Sequence, residues 1–226
     1  MAAFIYETKG LVYKQQDSVS LYSTNLGVTV KLVPRGRTRD ADAKQRILDA
    51  TFELLAAQGP GKVSIDEIAR EASVGKQTIY RWWPSKHAVV IDALLEHSIR
   101  DTPFRDSGDA RADLRHHMRG VVRLFTSPTG VLIREVLADA ISDEAVAAGF
   151  VERFWQPRRD LSTQFLMRAM ERGQVRNDVD VEAALDSIYS PLWVRLIIGF
   201  APLDLPFVDR VLDVVWAGLS AGISVK

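Results

Sequence analysis

The sequence predicts an all-α protein in which a three-helix unit with a helix-turn-helix precedes a larger helical domain. After residue 35, apolar residues recur three or four positions apart in successive stretches, which is the period of an amphipathic helix. Capping residues, Gly and Pro separate these stretches. A weak alternation of apolar and polar residues at 28–32 indicates a strand, but a lone strand has no sheet to join in a helical chain.

The composition is that of an ordinary globular protein with a locally uneven charge. With 226 residues, 47% of them hydrophobic, the chain can bury a core in one or two domains. The formal net charge is zero, yet residues 31–86 contain 11 Lys and Arg against 7 Asp and Glu. A basic end on a neutral body suits a protein with adjustable affinity for phosphates. The absence of Cys excludes disulfides and thiolate zinc sites. We expect neither a signal peptide nor a membrane span, and hence a cytoplasmic protein.

Residues 1–34 lie outside the helical pattern. We interpret them as a flexible extension, with an arm that is ordered on DNA or on the rest of the protein as the alternative. Arginines follow at every second position from Arg35. Arg37 and Arg39 are of the type that flanking arms insert into a DNA minor groove, and a solvated run of charges is the competing interpretation.

Two helices are predicted before the turn of the motif. The first covers residues 40–58, where a broad apolar stripe ends at Gly59 and Pro60. The second begins after Ser64, whose hydroxyl can cap it while Glu67 reaches back to the Ser64 backbone, as in a capping box. Its apolar positions stop just before Ser73.

A turn at residues 73–75 leads into a third helix over residues 76–83, which Pro84 stops. Ile79 and Trp83 are four positions apart, so they share one face and are expected to point inward. The other face carries groups that can hydrogen-bond, namely Lys76, Gln77, Thr78, Tyr80 and Arg81. Two short helices, a tight turn and a polar face on the second helix are typical of a helix-turn-helix that enters the DNA major groove. A hairpin buried in a core is the alternative, but such a hairpin does not present this polar face.

The stretch IDEIAREASVGKQTIYRWWPSKHAVV resembles the DNA-binding signature of TetR-family transcriptional regulators. The resemblance covers residues 38–93, and the remaining length suits the all-helical regulatory domain of that family. It implies a dimeric repressor that binds a double-stranded DNA operator and is released by a small-molecule effector. One departure is Ser73, at a turn position that is typically Gly. If this residue has a positive φ, Ser costs about 1 kcal/mol more than Gly.

Roles along the motif follow from the polar face and the resemblance. The residues expected to address base edges are Lys76, Gln77, Thr78 and Arg81. Those expected to contact backbone phosphates or sugars are Ser64, Tyr80, Trp82 and Lys86. Lys86 lies in the first turn of a fourth helix, where backbone N–H groups also favour a phosphate.

We divide the chain into the extension 1–34, a DNA-binding domain 35–92 and a regulatory and dimerisation domain 93–226. A fourth helix, capped by Ser85 and running to about Arg100, joins the two domains. Residues 101–108 have the composition of a loop. Further helices are predicted over residues 109–125, 131–141, 143–173, 180–200 and 205–219, with a kink or division at Pro157 and a kink at Pro191.

The last two helices carry more apolar residues than one core face needs. Burial within a single chain is one explanation, and a two-fold four-helix interface between two chains is the other. The resemblance favours the interface, because two motifs on a dimer read half-sites about one helical turn or a multiple of it apart. The predicted interface residues are Leu185, Ile188, Leu192, Leu196, Val211, Val215, Gly218 and Leu219.

The resemblance also implies a ligand cavity among the helices of residues 109–173, with the fourth helix as one wall. Aromatic and Met side chains suit such a cavity, although core packing is the alternative at each position. The candidates are Met118, Phe125, Phe150, Phe154, Trp155, Met167 and Trp193. Arg134 or His117 is a candidate for a polar contact with the ligand.

No pattern of catalytic or metal-binding residues is visible in the sequence. His116 and His117 are adjacent on a helix and diverge by about 100°, so they cannot share one metal. There is no Gly-rich phosphate loop and no nucleophile elbow. We therefore expect no cofactor and no enzymatic activity. The competing functions are an activator or adaptor on the same helical scaffold, and an enzyme that uses the body as a scaffold.

Overall fold

The computed structural model describes the backbone of residues 35–220 and the side chains of residues 40–220, and this part of the chain is almost entirely helical. The helices are α1 (Arg35–Gln58), α2 (Ile65–Glu71), α3 (Lys76–Tyr80), α4 (Lys86–Asp101), α5 (Ala110–Phe125), α6 (Pro128–Ser142), α7 (Glu144–Phe150), α8 (Gln156–Glu171), α9 (Val181–Ile198) and α10 (Leu205–Leu219). A π-helical turn at Val151–Trp155 joins α7 to α8. The pairing of Val175 with Ser220 is the single β-bridge in the described range. The predicted all-α class is confirmed.

The residues from Asp40 onward form one compact unit, and only the start of α1 is described in the unit before them. The prediction for residues 1–34 lies outside the described residues. The side chains of Arg37 and Arg39 lie outside them as well, although both positions belong to α1.

Most helices begin at the residues that the sequence marks as caps. Ser85 accepts a hydrogen bond from the Ala88 N–H at 3.2 Å, and Asp109 accepts one from the Ala112 N–H at 3.0 Å. Equivalent caps at Asp180 and Asp204 have distances of 2.8 Å. Each cap satisfies one of the N–H groups that a helix leaves without an internal partner, which explains why these boundaries could be read locally.

Several boundaries differ from the prediction, and the first is that α1 begins at Arg35 rather than at residue 40. Helix α3 ends at Tyr80, and α6 begins at Pro128, because Ser127 caps it and proline is suited to the first helical position. The predicted helix over residues 143–173 is divided at the π-helical turn rather than at Pro157 itself. Pro157 lies in the first turn of α8, where its missing N–H costs no internal hydrogen bond.

One hydrophobic core runs through α1 to α4 and through the later helices. We call the part formed by α5 to α10 and the π-helical turn the body. Helix α4 lies at the centre of the core, because Ala88, Val89, Val90, Ile91, Ala93 and Leu94 are all buried. The same helix contacts α5, α6, α7 and the π-helical turn. The division of the chain at residue 92 stays a prediction, since the core passes through α4 without interruption. No helix in the described range is long and apolar enough to cross a membrane.

Candidate nucleic-acid interface

The start of α2 is fixed by the predicted capping box. The Ser64 N–H donates to the Glu67 carboxylate at 2.9 Å, and the Glu67 N–H donates to the Ser64 hydroxyl oxygen at 3.3 Å. The Ser64 hydroxyl donates to the same carboxylate at 2.7 Å, and these bonds hold the pKa of Glu67 below its usual value. The Ser64 hydroxyl proton is therefore already engaged within the protein. A phosphate contact from Ser64 stays a prediction, and it requires this bond to be exchanged.

Ser73, at the turn position that is typically Gly, has a positive φ. Its φ is 53°, and it is the single non-glycine residue with a positive φ in the described part of the chain. The Val74 N–H donates to the Ala69 carbonyl at 2.9 Å across this turn. The turn thus has the conformation that favours Gly, and the strain at Ser73 is about 1 kcal/mol.

Helix α3 is anchored on one side and open on the other. Ile79 and Trp83 are 0% and 1% exposed, as their spacing predicts. Lys76, Gln77 and Tyr80 are exposed. Thr78 and Trp82 are partly exposed, and Arg81 is exposed at the turn that follows the helix. The polar face therefore points away from the core, as a helix that enters a DNA groove requires.

Two aspartates hold the cationic side chains of this face in the free protein. Lys76 forms an ion pair with Asp66, which raises the Lys76 pKa through a hydrogen bond. Arg81 donates to Asp40 at 2.8 Å, and its guanidinium stands 4.8 Å from the centre of the Trp82 ring. Ion pairs this exposed contribute little to stability, so DNA phosphates can replace the aspartates at small cost.

Lys86 lies in the first turn of α4, as predicted, and its side chain has a partner within the protein. Its ammonium donates to the Pro60 carbonyl at 3.2 Å, and the side chain is only partly exposed. This bond ties the start of α4 to the loop after α1. A phosphate contact from Lys86 stays a prediction, and it requires the lysine to leave this carbonyl or to share its N–H donors.

A partly buried carboxylate at the edge of the core, Asp92, joins the motif to the body. The Trp83 indole N–H donates to Asp92 at 2.7 Å, and Arg153 of the π-helical turn donates to the same carboxylate at 3.2 Å. The sequence offered one signal, which is that Asp92 interrupts the apolar run of α4. Its two partners are distant in sequence, so the link itself was not predictable from spacing.

A small cavity, partly open to solvent, lies in the body between α5, the π-helical turn, α8 and α9. Four of the seven predicted residues line it, namely Phe125, Phe154, Trp155 and Trp193. Two others are in the core, since Met118 is fully buried and Phe150 stacks on Phe154 with ring centres 4.9 Å apart. The prediction for Met167 is wrong, because this side chain is 47% exposed on α8 and does not reach the cavity lining.

The polar residues of the cavity are not the ones predicted. Arg134 is exposed and absent from the lining. His117 is buried against Phe104, with ring centres 3.7 Å apart, and burial lowers its pKa to about 3. The observed polar lining consists of Arg158, Arg159, Ser162 and Tyr189. Arg158 follows Phe154 by four positions, which places both on one helix face and is the signal that sequence reasoning missed.

Arg158 connects the cavity to the end of α4. Its Nη1 donates to the Ser98 hydroxyl at 3.0 Å and to the Thr102 hydroxyl at 3.2 Å. Tyr189, whose oxygen is 3.2 Å from the Ser162 hydroxyl, has its pKa raised to about 12 by burial. The phenol therefore stays protonated at neutral pH. Among the described residues, no group of three or more His, Asp or Glu side chains is arranged to hold a metal ion.

The predicted dimer residues fall into two groups. Five are buried within the single chain and belong to its core, which corrects their assignment to an interface: Leu185, Ile188, Leu192, Leu196 and Leu219. Helix α9 is apolar on most sides, so its sequence does not show which side faces the body. Val211 and Val215 are partly exposed and Gly218 is exposed, so they stay predicted contacts. The neighbouring apolar residues with large exposure are Val194, Ile197, Ile198 and Val214.

Comparison with known proteins relates both halves of the chain to bacterial regulators. Residues 47–93 match the family model for bacterial regulatory proteins of the tetR family, and residues 104–215 match that for a tetracyclin repressor-like C-terminal domain.

Individual relatives agree with these matches. An uncharacterized HTH-type transcriptional regulator, YdeS of Bacillus subtilis, is 37% identical over 73% of this chain and 83% of its own length. The DNA-binding transcriptional repressor TetR of Mycobacteroides abscessus is 31% identical over 80% of this chain and 94% of its own. The TetR family transcription regulator SCO0332, whose crystal structure is known, is 32% identical in sequence to this chain. The two structures align with a TM-score of 0.74 over 78% of this chain and 98% of that one.

Proposed function

The chain belongs to the TetR family of DNA-binding transcriptional regulators, and we propose that it is a dimeric repressor that a small molecule releases from its operator. The observation that carries this proposal is that α4 is hydrogen-bonded both to the helix-turn-helix and to the cavity. Asp92 on α4 accepts a hydrogen bond from Trp83. Trp83 anchors residues 76–83, which we call the recognition segment. Ser98, also on α4, and Thr102, which directly follows the last residue of this helix, accept hydrogen bonds from Arg158 of the cavity.

The proposed DNA contacts lie on the open face of α3. Lys76, Gln77, Thr78 and Arg81 address base edges, and Tyr80 and Trp82 contact the backbone beside them. Ser64, Lys86, Arg37 and Arg39 add backbone and minor-groove contacts. The exposure of Gln77 and the weak pairing of Lys76 and Arg81 support this arrangement, because each group is available to DNA at low cost.

The proposed dimer uses the uncovered side of α9 and α10. Val214 is 77% exposed and Ile198 is 69% exposed, which is costly for a protein that remains monomeric in water. A side chain at Gly218 would meet nothing within 4 Å in the single chain, so this position leaves room for a second copy. On the side of α10 that faces α5, Arg119 and Asp209 form an ion pair, which leaves the apolar side free. Two copies then present two recognition helices to successive turns of DNA.

Release follows if the ligand prefers a conformer in which α4 has moved. A ligand shifts such an equilibrium only by its difference in affinity between the two conformers. Helix α4 satisfies the structural requirement, because it packs on the body and also holds Trp83. A typical coupling between two sites is about 1–3 kcal/mol.

The experiment is a gel-shift and footprinting series on the DNA that flanks the gene. We expect protection of a palindrome whose half-sites are about one helical turn or a multiple of it apart. Gln77→Ala relaxes the preference at one base pair, whereas Lys86→Ala weakens binding to all sequences and flattens the salt dependence. Arg123→Ala, at an exposed arginine of α5, is the matched control and leaves binding unchanged. No shift of any flanking duplex at low ionic strength contradicts the proposal, as does an equal loss of sequence preference in both variants.

A further inference from the structure

The cavity contains a guanidinium that lacks an acidic partner. Arg158 is partly buried, and the hydrogen bonds of its Nη1 go to the neutral hydroxyls of Ser98 and Thr102. Within the described residues, no carboxylate lies within ion-pair distance of it, and burial lowers its pKa. Arginine nevertheless remains charged at physiological pH, so the cavity holds an uncompensated positive charge.

The neighbouring arginines show what a compensated site in this fold looks like. Arg159, the next residue, also lines the cavity but donates to Glu182 at 2.7 Å and to Asp186 at 2.8 Å. Arg153 is paired with Asp92. A partly buried charge is stabilised by an acidic partner, and the other two arginines have one. The exception at Arg158 therefore points to a partner that is not part of the protein.

The shape and chemistry of the lining restrict that partner. Only Nη1 of Arg158 has acceptors in the described part of the chain, so the remaining N–H donors are available to a ligand. Trp155 and Trp193 lie beside each other with ring centres 5.4 Å apart, and Phe125 is 4.7 Å from Trp193. Flat aromatic walls with one cation match a planar ligand that carries one negative group.

We infer that the cavity binds an aromatic carboxylate, whose carboxylate pairs with Arg158 and whose ring lies against Trp155 and Trp193. This inference rests on the proposed response to a small molecule and specifies the class of that molecule. The protonated Tyr189 hydroxyl is a second donor on the same lining. Because Arg158 also donates to Ser98 and Thr102, a carboxylate competes with the end of α4 for the guanidinium.

The test compares two probes that differ in charge but hardly in shape, 2-naphthoate and 2-naphthamide. Their binding to the purified full chain is measured by isothermal titration calorimetry. We expect the naphthoate to bind about tenfold or more tightly than the amide, as is usual for a charge-assisted hydrogen bond over a neutral one. Arg158→Gln keeps a donor for the α4 hydroxyls but brings the ratio close to one. Arg158→Lys retains part of the preference.

Arg159→Gln is the matched control, because it removes an arginine from the same lining that already has acidic partners. This variant keeps the preference for naphthoate. Equal binding of both probes to the wild-type protein overturns the inference, and so does no binding of either at millimolar concentration. A preference that survives in Arg158→Gln overturns it as well. Operator release is measured separately by fluorescence anisotropy: tight naphthoate binding without release contradicts the proposed function and leaves the ligand class standing.

Discussion

Replacing Asp92 tests whether the recognition segment and the body are held together by one partly buried carboxylate. Asp92 accepts a hydrogen bond from the Trp83 indole at 2.7 Å and two from Arg153 at 3.2 and 3.3 Å. Trp83 is 1% exposed, so its N–H depends on Asp92 for a hydrogen-bond partner in the folded protein. Asp92→Ala therefore leaves a buried donor and a mostly buried cation without partners.

The expected loss of stability follows from these two contacts. An unsatisfied buried donor costs about 1–3 kcal/mol. The ion pair with Arg153, whose side chains are 24% and 20% exposed, adds about 1 kcal/mol after allowance for solvent screening. We expect Asp92→Ala to lower the free energy of unfolding by about 2–4 kcal/mol. Asp92→Asn keeps a neutral acceptor for the indole, so its loss is about 1–2 kcal/mol.

The assay is urea denaturation followed by far-ultraviolet circular dichroism. The protein concentration is held fixed, because dimerisation contributes to apparent stability. Asp139→Ala is the matched control, since this carboxylate is 55% exposed on α6 and its loss is expected to change stability by less than about 0.5 kcal/mol. The reasoning is refuted if Asp92→Ala unfolds at the same urea concentration as Asp139→Ala, or if Asp92→Asn is as unstable as Asp92→Ala.

Three further predictions concern the dimer, the turn and the buried imidazole. Val214→Glu places a charge on the proposed interface and weakens dimerisation at least about tenfold in sedimentation experiments, whereas Ile141→Glu, at a side chain 82% exposed on α6, does not. Ser73→Gly removes the steric strain of the positive φ and raises the free energy of unfolding by about 0.5 kcal/mol. Ser73→Val lowers it by about 1 kcal/mol or more. The reverse order of stability in urea denaturation would exclude strain at this turn. Burial lowers the pKa of His117 to about 3, so only the unfolded chain binds this proton between about pH 6.5 and 3. Stability is then complete above pH 6.5 and falls by about 1.4 kcal/mol per unit below it, and His117→Phe reduces that slope in melts between pH 6.5 and 5.

The helix-turn-helix was predictable because its determinants are local. The capping box needs only Ser64 and Glu67, three positions apart, and both hydrogen bonds are present. The inward face of α3 needs only the spacing of Ile79 and Trp83. The resemblance marked Ser73 as a position that is typically Gly and left its φ open, and the structure gives it a φ of 53°. Each of these features depends on backbone geometry within one or two helical turns.

The cavity and the dimer face were less predictable, because both depend on which side of a helix the rest of the chain covers. Met167 has the composition of a cavity residue, yet it lies on the outer side of α8. Leu185 and Ile188 have the composition of interface residues, yet they are in the core. The importance of Arg158 lies in the absence of a nearby carboxylate among the described residues, which is a property of the packed structure and not of its neighbours in sequence.

In the proposed mechanism, the position of Arg158 explains how a small ligand can shift the equilibrium between operator-bound and released protein. Hydrogen bonds to a charged donor contribute about 1.5–3 kcal/mol each, and Arg158 makes two of them to Ser98 and Thr102 at the end of α4. Loss of even one to a ligand carboxylate is comparable with the coupling of about 1–3 kcal/mol that allosteric proteins use. The bond between Asp92 and Trp83 is not touched by this exchange, so α4 can shift while it still carries the recognition segment with it. In the proposed mechanism, a ligand without a negative charge forms no ion pair with Arg158, so the regulator would respond to the negative charge of its ligand.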